Sequence, residues 1–242
     1  MTEIARTRLG MITPSSNTAL EPITAQLLAG TPQITAHFAR LRVTEITLSD
    51  KGLAQFDAGP MLDAGSMLAD MRPGAIVWNG TSGGWRGLEA DRRLCAALDD
   101  RFGVPTTTVT LALAELLVQK GLKRVAFVTP YTSDVQARIL GTFEAAGISC
   151  SFSPCLGISE NFAFSTVPVA AMDEMVERAA AERPDAILPF CTNLPATAHA
   201  ARWEDETGIL VIDSIAIATR VGIELSGVSP SVIQGWGRLF SL

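Results

Sequence analysis

Residues 73–82 read PGAIVWNGTS, a short apolar run that ends in a polar turn containing glycine. Residues 184–193 repeat this shape as PDAILPFCTN, which sets Gly80 against Cys191 at a spacing of 111 residues. Short apolar runs closed by turn residues are typical of strands buried in a parallel sheet. Each segment therefore predicts one such strand, with a polar loop at its carboxyl end.

Two further pairs of segments occur in the same order along the chain. Residues 8–14 (RLGMITP) match residues 124–130 (RVAFVTP), and residues 104–108 match residues 209–213 more loosely. Any two doubly wound domains share such short strand-and-turn segments, but three pairs of segments in the same order favour a duplication of one half of the chain. Helical periodicity fills the segments between the strands, at residues 18–28, 64–71, 90–102, 111–120, 135–146, 169–182 and 196–207.

Alternating strands and helices predict a parallel sheet flanked by helices in each half of the chain. The predicted fold is therefore α/β, with two pseudo-symmetric Rossmann-like lobes. We expect an N-terminal lobe over residues 1–115, to which the chain returns at residues 215–242. The C-terminal lobe, over residues 116–214, would carry Cys191.

The composition argues against several classes of protein. The chain has 242 residues, of which 48% are hydrophobic and 18% charged, and it can bury a sizeable core. No apolar run approaches the roughly 20 residues of a membrane span, and the polar residues 1–7 argue against a signal peptide. A net charge of −6 without clustered basic residues argues against nucleic-acid binding. We expect a cytoplasmic protein without a membrane or nucleic-acid partner.

Cysteine and histidine usage argues against a metal or disulfide framework. The chain has four cysteines, none in a CxxC motif, which is too few for a disulfide scaffold. The two histidines, His37 and His199, have no partners at metal-ligand spacing, so we expect no zinc site. GxGxxG and GxxxxGK[ST] motifs are also absent from the sequence, which argues against a nucleotide site.

Polar side chains follow the predicted strands at their carboxyl ends, where open α/β sheets carry their ligands. Hydroxyls, amides and helix amino-terminal N–H groups together bind carboxylates or small anions. The alternative is that these residues only cap the helices that follow. The residues are Ser15, Ser16, Asn17, Thr81, Ser82, Tyr131, Thr132, Cys191, Thr192 and Asn193.

Cys191 is the candidate for covalent or acid–base chemistry. It follows the apolar run at residues 186–190, at a predicted strand-to-helix turn. A helix amino terminus lowers the pKa of a thiol and can hold a reactive thiolate, so this position favours catalysis, although a structural role stays open. Cys95, Cys150 and Cys155 fit a packing role. A Cys191–His199 dyad is a weaker option.

Five short segments resemble the aspartate/glutamate racemase superfamily, and within it the maleate isomerase and arylmalonate decarboxylase branch. They are GMITPSSN at residues 10–17, NGTS at 79–82, TPY at 129–131, FCTN at 190–193 and GWGRLF at 235–240. The resemblance implies two pseudo-symmetric lobes with the active site in the cleft between them, and catalysis without a cofactor or metal. It also implies a small mono- or dicarboxylate substrate and a homo-oligomer.

The resemblance further implies roles for individual residues. Two-thiol members of the superfamily carry one cysteine on each lobe, whereas arylmalonate decarboxylases have a glycine on the first lobe and a cysteine on the second. Gly80 and Cys191 repeat the decarboxylase pattern. The implied substrate-binding residues are Pro14, Ser15, Asn17, Thr81, Ser82, Tyr131, Asn161, Thr192 and Asn193, and the implied apolar pocket consists of Leu41, Val43 and Phe164.

Two of these residues point to a different reaction. Asn17 and Asn161 match asparagines that hold the second carboxylate in maleate isomerases. On the pattern of Gly80 and Cys191 we nevertheless expect a cofactor-independent decarboxylase of a substituted malonate or similar small dicarboxylate that uses Cys191 as its proton donor. The alternatives are an isomerase or racemase of a small dicarboxylate or amino acid, and a non-catalytic carboxylate-binding protein. The sequence leaves the roles of Trp85, His37 and His199 open.

Overall fold

Two four-stranded parallel sheets form the centre of the protein in a computed structural model, which describes residues 6–242. The first sheet has the order β2-β1-β3-β4 and the second the order β6-β5-β7-β8, so both halves follow one topology. This confirms the predicted α/β fold with two pseudo-symmetric lobes. The strands are β1 (Thr7–Pro14), β2 (Ile34–Leu41), β3 (Ala75–Trp78), β4 (Thr106–Thr108), β5 (Arg124–Val128), β6 (Ser149–Phe152), β7 (Ala186–Pro189) and β8 (Leu210–Val211).

Ten α-helices connect and flank the strands within residues 6–242. The seven predicted helices are all present, with ends that differ by a few residues. The helices are α1 (Leu20–Leu28), α2 (Asp50–Ala54), α3 (Ala58–Ala69), α4 (Gly83–Arg86), α5 (Leu88–Phe102), α6 (Val109–Gln119), α7 (Ser133–Ala145), α8 (Val169–Ala181), α9 (Ala200–Thr207) and α10 (Ser214–Leu225). None of the helices in the described range is long and apolar enough to cross a membrane.

Strand β2, the short helices α2 and α4, and helix α10 have no counterpart in the sequence prediction. Strand β2 lies at the edge of its sheet and mixes buried with exposed positions, so it lacks the continuous apolar run of a central strand. Helix α10 is buried over most of its surface, so it lacks the apolar stripe of an amphipathic helix. It packs against β1 and β3, where Gly222 faces Val77.

The core strands β3, β5 and β7 are buried almost throughout, because helices cover both faces of each sheet. Their carboxyl ends lead into the loops that hold the candidate site residues. The lobe boundaries within residues 6–242 stay a prediction, as does the absence of a signal peptide. The latter prediction rests mostly on residues 1–5, outside the described range.

Candidate active site

A small cavity lies between the two lobes at the carboxyl ends of their strands. The space in which the centre of a water-sized sphere can move is about 10 Å³, so the cavity has room for about one water molecule. A small carboxylate therefore requires the walls to move apart before it can bind. The cavity is lined by Pro14, Val43, Ile46, Phe56, Gly80, Thr81, Trp85, Tyr131, Asn161, Cys191 and Thr192.

Cys191 contributes a buried thiol to this cavity. It lies in the turn after β7, and the backbone N–H of Asn193 donates to its Sγ at 3.4 Å. Burial raises the pKa of the Cys191 thiol from 9.0 to about 11. Hydrogen bonds from the Tyr131 hydroxyl and from backbone amides oppose this shift without cancelling it. The group is therefore a neutral thiol near pH 7.

Two structural features oppose a thiolate at Cys191 and favour the neutral thiol that a proton donor needs. The residues that follow it form an irregular turn, and the next helical segment is a 3-10 turn at Thr197–His199 rather than an α-helix. The thiol therefore has no helix amino terminus beside it. It is also only 2% exposed, and desolvation disfavours the charged form of a buried group.

Tyr131 and Thr81 bring hydroxyls to the cavity from opposite lobes. Thr81 Oγ1 and the Tyr131 hydroxyl oxygen lie 2.6 Å apart. Burial is the main cause that raises the pKa of Tyr131 well above its ordinary value of 10.0, and the neighbouring Cys191 is the second. The phenol therefore keeps its proton. The Tyr131 ring packs edge-to-face against Trp85 and Phe164, with centroid distances of 5.4 Å in both cases.

Asn161 is the predicted asparagine that does line the cavity. Its Nδ2 donates to Ser16 Oγ at 2.7 Å, and its backbone N–H donates to the Thr44 carbonyl at 3.0 Å. An antiparallel bridge between Glu45 and Glu160 reinforces this contact. The segment that carries Asn161 therefore crosses from the second lobe to close the cavity against the first.

Asn17 does not line the cavity, contrary to the prediction. Its Nδ2 donates to the carbonyl and the hydroxyl of Thr192, at 3.0 and 3.3 Å. Its Oδ1 accepts from the backbone N–H groups of Ala19 and Leu20. In this structure the amide nitrogen and the carbonyl oxygen of Asn17 are both bonded to protein groups.

The Asn193 side chain is also hydrogen-bonded to protein groups through both its oxygen and its nitrogen. Its Oδ1 accepts from the backbone N–H groups of Thr18 and Ala19, and its Nδ2 donates to the Asn161 carbonyl at 2.5 Å. Both asparagines thus accept from N–H groups at the start of α1, which is the capping role that the sequence left open, and their substrate-binding role stays a prediction.

Four more predicted residues do not line the cavity. Ser15 Oγ bonds the backbone of Val43, and the Ser15 N–H donates to the Leu41 carbonyl at 2.7 Å. Ser82 Oγ accepts from the Trp78 indole at 3.1 Å. Leu41 and Phe164 are fully packed and support the wall from outside. The predicted residues that reach the cavity are Pro14, Val43, Gly80, Thr81, Tyr131, Asn161, Cys191 and Thr192.

The sequence prediction missed an apolar wall formed by Ile46, Phe56 and Trp85. Phe56 and Trp85 pack edge-to-face at 5.7 Å, and the Arg86 guanidinium donates to the Phe56 carbonyl. Trp85 is buried, and its Nε1 has no hydrogen-bond partner within residues 6–242. Phe56 lies in the short link between α2 and α3, and no periodicity marks such a position.

The two histidines lie apart from the cavity. His37 is on the exposed side of β2, where its ring bonds Thr35 Oγ1 at 3.0 Å. His199 packs against Trp203, with ring centroids 5.6 Å apart. Neither histidine lines the cavity, so the structure does not support a Cys191–His199 dyad.

Comparisons with known proteins agree with this geometry. A family model described as arylmalonate decarboxylase matches residues 9–240. A maleate isomerase from Alcaligenes faecalis is 27% identical over 253 residues, which cover 92% of this chain and 98% of that protein. An arylmalonate decarboxylase from Bordetella bronchiseptica is 28% identical over 158 residues, which cover 64% of this chain and 66% of that protein.

Solved structures show the same fold. The maleate isomerase Iso from Pseudomonas putida S16 superposes with a TM-score of 0.87 at 24% identity, covering 97% of this chain and 98% of that one. A liganded double mutant of arylmalonate decarboxylase superposes with a TM-score of 0.86 at 24% identity, with the same coverage. Because the family model spans nearly the whole sequence, this chain belongs to the arylmalonate decarboxylase family within the aspartate/glutamate racemase superfamily.

Proposed function

We propose that the protein is a cofactor-independent decarboxylase of a substituted malonate or a similar small dicarboxylate, with the Cys191 thiol as proton donor. The observation that carries the proposal is the pairing of one neutral thiol, Cys191, with a glycine, Gly80, on the other lobe. Decarboxylation requires one proton donor, which a neutral thiol provides. A two-thiol racemization requires a base on one lobe and an acid on the other.

The walls of the cavity fit the charge changes of this reaction. In the first step the bond to one carboxylate breaks, CO2 leaves, and the electron pair spreads over the retained carboxylate as an enediolate. The Thr81 and Tyr131 hydroxyls line the cavity and supply a donor to those oxygens, whereas the Thr192 hydroxyl donates to the Asn79 carbonyl. A preorganised donor of this kind is typically worth about 3–4 kcal/mol in the transition state.

The apolar wall favours loss of the other carboxylate. Val43, Ile46, Phe56 and Trp85 offer little solvation to a carboxylate held against them. A poorly solvated charge is lost more readily when the product is neutral CO2. The apolar wall and the hydroxyl cluster thus give the two carboxylates of a malonate different surroundings.

Proton transfer completes the reaction. The Cys191 thiol donates its proton to the α-carbon of the enediolate, which becomes the carboxylate product. The resulting thiolate takes a proton from solvent before the next turnover. The net change is one proton and one malonate consumed, with one CO2 and one monocarboxylate formed. Because the proton comes from one side, a product with an asymmetric α-carbon is a single enantiomer.

An isomerase of a small cis-dicarboxylate is the second candidate, and Asn161 favours it. Its amide in the cavity suits a substrate that keeps both carboxylates. The Alcaligenes faecalis relative and several others are maleate isomerases. Gly80 counts against this candidate, because the resemblance implies a cysteine on each lobe in the two-thiol members of the superfamily.

Proton NMR in D2O distinguishes the candidates. The protein is incubated separately with phenylmalonate, methylmalonate, maleate, D-aspartate and L-aspartate, beside Cys191→Ala and the control Cys155→Ser. Cys155 is half-buried and does not line the cavity.

If the protein is a decarboxylase, we expect CO2 release and a product with one deuterium at the α-carbon. This activity should be lost in Cys191→Ala and kept in Cys155→Ser. Isomerised maleate or exchange into aspartate supports the second candidate, and ligand binding without turnover indicates a binding protein. CO2 release that persists in Cys191→Ala would refute the proposed role of the thiol.

A further inference from the structure

Gly80 has a backbone that accepts a side chain but surroundings that do not. Its φ lies outside the left-handed region, so the backbone conformation itself does not require glycine. A Cβ at this position, however, would lie 2.1 Å from Cζ2, 2.4 Å from Cε2 and 2.9 Å from Cη2 of the Trp78 ring. These separations are far below van der Waals contact. The Trp78 indole therefore occupies the space that any side chain at position 80 would need.

The Trp78 ring is held where it is. Trp78 is the last residue of β3, is fully buried, and pairs with Ile12 on one side and Thr108 on the other. Its Nε1 donates to Ser82 Oγ at 3.1 Å, and the Phe56 ring meets it edge-on at 6.4 Å. A clash with a fixed aromatic ring cannot be relieved by moving the end of a flexible side chain.

We infer that Trp78 is a specificity-determining residue, which commits the site to a one-thiol reaction by filling the place of a group opposite Cys191. The functional part of this inference rests on the proposed decarboxylation, whereas the steric part rests on Gly80 and Trp78 alone. The site therefore differs from a two-thiol site by more than a missing cysteine at position 80. The Trp78 ring fills the space that a cysteine side chain at position 80 would need, so the single substitution Gly80→Cys does not restore a second thiol.

This arrangement has two effects on the site. With Trp78 in place, no side chain at position 80 can remove the α-proton that Cys191 delivers, so the product keeps its configuration. The Trp78 N–H also occupies an acceptor position of Ser82 Oγ, which directs the Ser82 hydroxyl hydrogen away from the indole. The same hydrogen bond holds the indole ring against position 80.

A double-mutant cycle of melting temperatures tests, without any substrate, whether Trp78 blocks a side chain at position 80. The melting temperature is measured for Gly80→Ala, Trp78→Leu and the double variant, with Gly141→Ala as the matched control. A Cβ at Gly141 meets nothing within 4 Å. Gly80→Ala should lower the melting temperature by about 5 °C or more when Trp78 is present, and by much less in the Trp78→Leu background. An equal loss in both backgrounds would overturn the inference.

Exchange at the α-carbon of the product tests the functional part. Gly80→Cys and Trp78→Leu/Gly80→Cys are incubated in D2O with the chiral acid formed by decarboxylation. We expect deuterium incorporation with loss of configuration at least about tenfold faster in the double variant than in Gly80→Cys. Equal rates in the two variants would overturn the inference. If the stability cycle shows coupling but no variant acts on any malonate, the proposed function fails while the steric assignment of Trp78 stands.

Discussion

Asn17, in the loop after β1, and Asn193, in the loop after β7, join the two lobes, because each side chain bonds a residue next to the other. Asn17 Nδ2 donates to the Thr192 carbonyl at 3.0 Å, and Asn193 Oδ1 accepts from the Ala19 N–H at 3.1 Å. Both side chains are buried, with 1% of their surface exposed. The two asparagines therefore set the spacing of the lobes beside the cavity, and with it the separation of Thr81 from Cys191.

Removal of the Asn193 side chain should destabilise the fold. In Asn193→Ala, the part-buried Thr18 N–H loses its partner, and the Ala19 N–H and the Asn161 carbonyl each lose one of two partners. An unsatisfied buried polar group costs about 1–3 kcal/mol, so we expect the free energy of unfolding to fall by roughly 1–3 kcal/mol. Urea unfolding measures this change. The exposed Gln234 supplies the control Gln234→Ala, and a loss no larger than in that control would contradict the structural role.

Tyr131 should resist ionisation in the folded protein. It is the single tyrosine of the chain, so the near-ultraviolet phenolate absorbance reports on this residue alone. Burial raises the pKa of Tyr131 well above 10.0, whereas an unfolded chain titrates near 10. An alkaline titration should therefore show no phenolate until the protein unfolds, and an ordinary titration in denaturant. A phenolate signal near pH 10 in the folded protein would contradict the buried site.

The hydroxyls of Tyr131 and Thr81 should act as a unit in catalysis. Tyr131→Phe and Thr81→Val each remove one hydroxyl with little change in volume. Each should lower kcat/KM by roughly 100-fold, the usual loss for one preorganised donor. The double variant should lose less than the product of the two factors, because the oxygens lie 2.6 Å apart and support each other. Rates are measured as CO2 release, and a fully multiplicative loss would show that the hydroxyls act independently.

Asp213 should make folding stability depend on pH below neutrality. Its Oδ1 caps α10 and accepts from Thr197, and Oδ2 has no partner within residues 6–242. Burial raises the pKa of Asp213 from 3.8 to about 6, so the folded state binds more protons than the unfolded state between these values. Stability should therefore fall as pH rises from about 4 to 6, by roughly 3 kcal/mol for a shift of this size.

Asp213→Asn provides the test of that dependence. Asparagine keeps the capping oxygen but cannot ionise, so the variant should lose stability less steeply between pH 4 and 7 than the parent protein. Asp91, whose pKa burial also raises to about 6, leaves a residual slope. Urea unfolding at several pH values measures the slopes. Identical slopes in the two proteins would contradict the assignment to Asp213.

The repeat in the sequence predicted the fold because a buried parallel strand has a local signature. Residues 73–82 and 184–193 are apolar runs with polar ends, and the structure makes them β3 and β7, equivalent strands of two like sheets. Edge strand β2 and buried helix α10 escaped prediction because their patterns depend on which neighbours cover them. The same limit applies to Phe56 and Trp85, which meet at the cavity only through contacts distant in sequence.

The amino-acid order alone was enough to give the duplicated α/β architecture, the loops that carry the site, and the pairing of Gly80 with Cys191. These features follow from residue type and spacing, which are local properties of the chain. The protonation state of Cys191, the use of Asn17 and Asn193 as bridges between lobes, and the block that Trp78 imposes on position 80 required the folded structure. Each depends on burial or on contacts between side chains, which exist only after the lobes have packed together.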